Sequence, residues 1–135
     1  MSRPAPPTGT PPPVAAAPRD GESVDLPPLA DEITRRYLEE FPDDLERYGE
    51  AARDWCRHDN LYVLAWTIGD LAGHRMLARQ VDWLAGLLAA RDYPLERLAR
   101  NLELAAEVLG ERLPAEREAI DSMLAAAAAS VRAAA

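Results

Sequence analysis

"WCRHDNLYVLAW", residues 55–66, sets a cysteine, a histidine, an aspartate, a tyrosine and two tryptophans within twelve positions. Whether this stretch coils as a helix or folds as a ligand-bearing loop decides the architecture, and its spacing predicts a helix. Leu45, Tyr48, Ala52, Trp55, Asp59, Tyr62 and Trp66 recur by threes and fours, the period that returns side chains to one face of an α-helix. One helix is therefore expected over residues 43–68, with that stripe turned to the core. On it, Cys56 and His58 stand about 200° apart around the axis and cannot chelate one ion. Gly69 is expected to stop the helix and Asp70 to cap the next.

The same period extends in both directions. Toward the N-terminus, "LADEITRRYLEEF" predicts a helix over 29–41 with Leu29, Ile33, Tyr37 and Phe41 on one stripe. Pro42 then opens the long helix, where Asp43 and Glu46 have capping-box spacing. Toward the C-terminus, Leu77, Val81, Leu84 and Leu88 predict a helix over 71–91, with Met76, Trp83 and Leu87 on an offset stripe. After Pro94, Leu95, Leu98, Leu102, Ala105 and Leu109 predict another, closed by Gly110. After Pro114, Ile120, Leu124, Ala127 and Val131 predict a last helix with a fraying alanine end. No strand-like alternation is found, so the fold class is all-α: a four- to five-helix bundle over residues 29–135, with a globin-like arrangement as one variant. Nine of the twelve prolines fall in residues 1–28 among few large apolar side chains, which predicts a disordered, partly polyproline-II tail.

Composition narrows the function. The chain carries 15 basic residues, all of them arginine, against 23 acidic ones, a net charge of −8. Such a balance repels nucleic-acid backbones and anionic membranes, so the expected partner is another protein, a second copy of the chain or a small molecule. Arg75 and Arg79 form one basic helical face, too sparse in base-reading residues to favour DNA binding. A single cysteine excludes an internal disulfide framework. "MSRPAPPTGTPPP" lacks the apolar run of a secretion signal, and no apolar run reaches the roughly 18 residues of a membrane span, so a cytoplasmic location is expected.

Several polar residues inside the helices are of types that carry chemistry. His58 follows Asp54 by four and His74 follows Asp70 by four, a spacing that predicts surface histidines paired with carboxylates. Neither has glutamate three residues before it, as a di-iron bundle requires. Asp59 interrupts an apolar stripe. It is either an edge residue meeting an arginine such as Arg79 or Arg100, or the polar group of a cavity walled by Trp55, Tyr62 and Trp66. A glycine-rich phosphate loop, a G-x-S-x-G elbow and a histidine-based triad are all lacking, so neither catalysis nor a metal or resident cofactor is expected. Two functions stay open. One is a regulatory or scaffolding module acting through protein contacts at Met76, Trp83 and Leu87; the other is a small-molecule or tetrapyrrole sensor using His58, Asp59, Tyr62, Trp66 and His74.

From Tyr48 to Pro114, "ERYGEAARDWCRHD", "LYVLAWTIGD", "VDWLAGLLAARDYPLERLARNLELAAEVL" and a closing "LP" resemble a helical domain of bacterial regulatory proteins, one that often precedes a cobalamin-binding or other sensory domain. In that pattern a histidine and a tyrosine precede a "YVxWLxxLLxxRGxP"-like segment; the matching positions are His58, Tyr62, Val81, Trp83, Leu84, Leu87, Leu88, Arg91 and Pro94. The "GDLAGHRMLARQ" connection is nearly a turn longer than the pattern, Asp92-Tyr93 replaces its glycine-containing turn, and no cobalamin-binding segment follows. The resemblance therefore implies a regulatory or scaffolding helical module and carries over no cofactor.

Overall fold

Apolar side chains at helical spacing produce six α-helices among the described residues of the computed structural model, which are residues 11–18 and 21–135. They are α1 (Leu26–Glu40), α2 (Asp43–Tyr48), α3 (Glu50–Leu71), α4 (Leu77–Ala89), α5 (Leu95–Arg112) and α6 (Arg117–Ala134). A 3-10 turn, Pro114–Glu116, joins α5 to α6, which pack along their whole lengths; α1 lies across α3 and α5, and α4 against α3 and α6. The all-α class expected from the sequence is what the chain adopts. Of the predicted stripes, Leu77, Val81, Leu84 and Leu88 of α4, Leu98, Leu102, Ala105 and Leu109 of α5, and Ile120, Leu124, Ala127 and Val131 of α6 are all buried.

Several boundaries differ from expectation, each for a local reason. The tail was expected to run to residue 28, and its residues 1–10, 19 and 20 lie outside the described residues. Residues 24–28, however, belong to the fold. Ala15–Ala16 (β1) pairs antiparallel with Val24–Asp25 (β2), the Leu26 amide donates to the Val14 carbonyl at 2.9 Å, and Val24 and Leu26 are buried. Pro27 and Pro28 occupy the first turn of α1, where a missing amide hydrogen breaks no helical bond.

The helix expected over 43–68 breaks at Gly49, whose φ of 68° and ψ of −155° suit glycine alone. This separates α2 from α3. The capping box is not formed, since Asp43 reaches Arg97 instead. Farther on, Gly69 does not end α3. The stop is Gly73, with φ 100°, where His74 donates to the Gly69 carbonyl at 3.0 Å and Gly73 to that of Asp70 at 3.1 Å, a Schellman closure. Asp70 does cap, accepting the amides of Met76 at 2.8 Å and Leu77 at 3.3 Å, so α4 begins at Leu77 and not at 71. Asp92 takes the left-handed conformation, φ 58°, at the turn after α4, as a short acid can. Gly110 sits inside α5, where a Cβ would meet the Arg117 side chain at 3.2 Å; the close approach of α6, not a helix stop, explains the glycine. The alanine end of α6 stays helical to Ala134, pinned by Arg132 on Glu96 at 2.9 Å and Glu103 at 2.7 Å.

The core face of α3 is also not the aromatic stripe. Asn60, Leu61, Val63, Leu64, Thr67 and Ile68 are buried with Trp66, whereas Trp55, Asp59 and Tyr62 lie half-buried along its flank. Both sets have helical spacing, and the narrower aliphatic set fits the close approach of α1 and α5 better.

Candidate functional site

A cavity of about 690 Å³ lies between α2, α3, α4, the α4–α5 connection and α5. That is within the usual range for small-molecule pockets, roughly 300–1,000 Å³. Ala51, Ala52, Trp55 and Val63 of α3 form one wall, with Leu84 and Leu88 of α4 and Leu98 of α5 facing them. Tyr37, Asp44, Tyr93 and Arg97 make a polar end, and Cys56, Asn60 and Asn101 a polar strip.

Asp44 organises the polar end. It is 4% exposed, and its carboxylate accepts the Tyr37 hydroxyl at 3.0 Å, the Tyr93 hydroxyl at 2.6 Å and Arg97 Nη1 at 2.5 Å. The two tyrosine hydroxyls also contact each other. Arg97 holds Asp43 at 2.9 Å with its other nitrogen and lies 4.6 Å over the Phe41 ring. A buried carboxylate is tolerated only when its lone pairs are filled, and donors from α1, the α4–α5 connection and α5 converge here to fill them. Burial, with Tyr93 and Asp44 as neighbours, pushes the Tyr37 hydroxyl far above the ordinary phenol range; burial and the Asp44 hydrogen bond do the same for Tyr93. Both therefore stay protonated donors.

Asn60 of α3 and Asn101 of α5 pair reciprocally, each amide nitrogen donating to the other's oxygen at 3.0 and 2.9 Å. Asn60 donates its second hydrogen to the Cys56 carbonyl at 2.9 Å, whereas the second amide hydrogen of Asn101 has no acceptor among the described residues. Cys56 lies beside this pair, and burial pushes its thiol up to about 12. A nucleophilic role would need the opposite shift. At pH 8 native Cys56 should therefore react with iodoacetamide about a thousandfold more slowly than in urea, in proportion to its thiolate fraction. Since the folded thiol holds its proton more tightly than the unfolded one, this contribution is complete below about pH 9 and destabilises increasingly as pH rises toward 12. A native rate close to the denatured one would place the sulfur in open water.

Of the five residues read from the sequence as a sensor site, Asp59 lines the cavity, together with Trp55 and Cys56; His58, Tyr62, Trp66 and His74 do not. His58 bonds Asp59 through Nδ1 at 3.2 Å, not Asp54, and its ring stands edge-on between Trp55, 5.1 Å away, and Tyr62, 5.2 Å away. His74 is exposed in the α3–α4 turn, and the carboxylate expected to pair with it caps α4. Arg100 engages Glu40 and Glu103. Met76 and Trp83 are 40% and 61% exposed, and Leu87 packs half-buried against the core. Sequence reasoning missed Asp44, Tyr93, Arg97 and the asparagine pair. Asp44 belonged to an acidic first turn, and its partners lie up to 53 residues away.

Among the described residues no group of three or more histidine, cysteine or acidic side chains is arranged to hold a metal ion, and no helix is long and apolar enough to cross a membrane. Comparison with protein-family models, curated proteins and solved structures gives no match.

Proposed function

We propose that this chain is a non-enzymatic regulatory module that binds a small molecule in the cavity between α2, α3, α4 and α5. The observation carrying this reading is the cavity itself: about 690 Å³ with aliphatic and aromatic walls and a few converging polar groups. Asn101 offers a ligand acceptor its second amide hydrogen, and the resemblance of residues 48–114 to a helical regulatory domain supports the regulatory role. Neutral phenylnaphthylamine, whose fluorescence rises in apolar surroundings, is the test. It should bind the native chain at one site, and Ala52→Trp, which places an indole in the space, should abolish that signal while leaving circular dichroism unchanged. Absence of a single site on the native chain would defeat the proposal.

The exposure of Trp83 and Met76 favours a second function, protein contact through the outer face of α4, beside Arg75 and Arg79, which form no ion pair among the described residues. Trp83→Arg would then weaken self-association or partner binding in sedimentation while helicity and stability persist. Loss of helicity would instead make Trp83 part of the core.

A further inference from the structure

The cavity lining carries three arginines, Arg47, Arg91 and Arg97, and three aspartates, Asp44, Asp59 and Asp92, but they are unevenly placed. Arg97 is engaged by Asp43 and Asp44, and Asp59, half-buried in the wall, shares a hydrogen bond with His58. The exposed part of the lining, which marks the rim, is Arg47, Ala90, Arg91 and Asp92. Arg47 lies in the last turn of α2 and Arg91 follows α4, and the neighbouring Tyr48 and Tyr93 rings stand 6.2 Å apart. Neither guanidinium makes a hydrogen bond or ion-pair contact among the described residues, although Arg47 lies near enough to Asp43 to help hold that carboxyl below its ordinary range, behind the larger effect of the Arg97 hydrogen bond. Asp92 is the rim's one carboxylate, so two guanidiniums outside any ion-pair contact share the rim with one acid on a chain whose net charge is −8. Below them the walls are apolar.

Resting on the small-molecule function proposed above, we infer that the ligand is an amphipathic organic anion whose apolar body lies against Trp55, Leu84 and Leu88 and whose carboxylate, sulfonate or phosphate sits between Arg47 and Arg91. Guanidinium recognises such groups by paired, charge-assisted hydrogen bonds, which strengthen where an apolar wall excludes water.

Two probes share one apolar skeleton and differ in charge: anilinonaphthalene sulfonate and neutral phenylnaphthylamine. The variant Arg47→Gln/Arg91→Gln alters only exposed side chains, and circular dichroism checks that it is folded. It should weaken the sulfonate about tenfold and leave the neutral probe within about twofold, and Asp92→Asn should tighten the sulfonate alone. Added salt should erode the sulfonate's advantage. Equal responses of the two probes, or a sulfonate affinity indifferent to both arginines, would overturn the anion inference while leaving the neutral probe's site, and so the binding function, standing. If neither probe binds the native chain, the binding function fails and this inference with it.

Discussion

Replacing Asp44 with alanine is expected to cost about 3 kcal/mol of folding stability, read as a lowered urea midpoint with an unchanged slope. Removing one member of a buried ion pair leaves the other charge without compensation, typically a loss of about 3–5 kcal/mol. Here the orphaned groups are Arg97 and the hydroxyls of Tyr37 and Tyr93. The lower end of the range applies because the Arg97 side chain is 23% exposed, keeps Asp43 and rests on Phe41, and the two hydroxyls can bond each other. Asp43 supplies the contrast. Its side chain is 49% exposed, so Asp43→Ala should cost less than about 1 kcal/mol although it contacts the same arginine. Equal costs for the two substitutions would show that Asp44 is not the buried centre of the cluster.

Leu124→Ala should be comparably damaging, at about 3–5 kcal/mol, because of what surrounds it in the sequence. The helix α6 is largely alanine, and its large fully buried side chains are Ile120, Leu124 and Val131. Removing the middle anchor leaves a void that neighbouring alanines cannot fill by changing rotamer, so the cavity penalty adds to the lost transfer energy. Met123, half-buried one position earlier, should tolerate alanine at less than about 1.5 kcal/mol. If Leu124→Ala costs no more than Met123→Ala, α6 does not seal the core against α5.

Much of this architecture is legible in the sequence. The stripes of α4, α5 and α6 lie on the core where their spacing puts them: α5 and α6 have one wide apolar face each, and on α4 the offset stripe of Met76, Trp83 and Leu87 is the more exposed one. The region around α3 is less legible because two faces there share the helical period, and the bulkier aromatic one is the flank. The break at Gly49 escapes a periodicity argument altogether, as apolar residues continue at threes and fours across it and only the backbone torsion records the turn. The cavity is lined by residues from both sides of that break. Its polar end depends on contacts between Asp44 and residues 37, 93 and 97, which no local pattern encodes. Tyr37 carried a faint signal, a hydroxyl on an otherwise apolar stripe that needed a buried partner.

The most direct test follows the backbone amide resonances while phenylnaphthylamine is added. If the cavity is a binding site, shifts should saturate at one equivalent and centre on Ala52, Val63, Leu84 and Leu98. Shifts centred on Met76 and Trp83, or absent from the cavity walls, would contradict it.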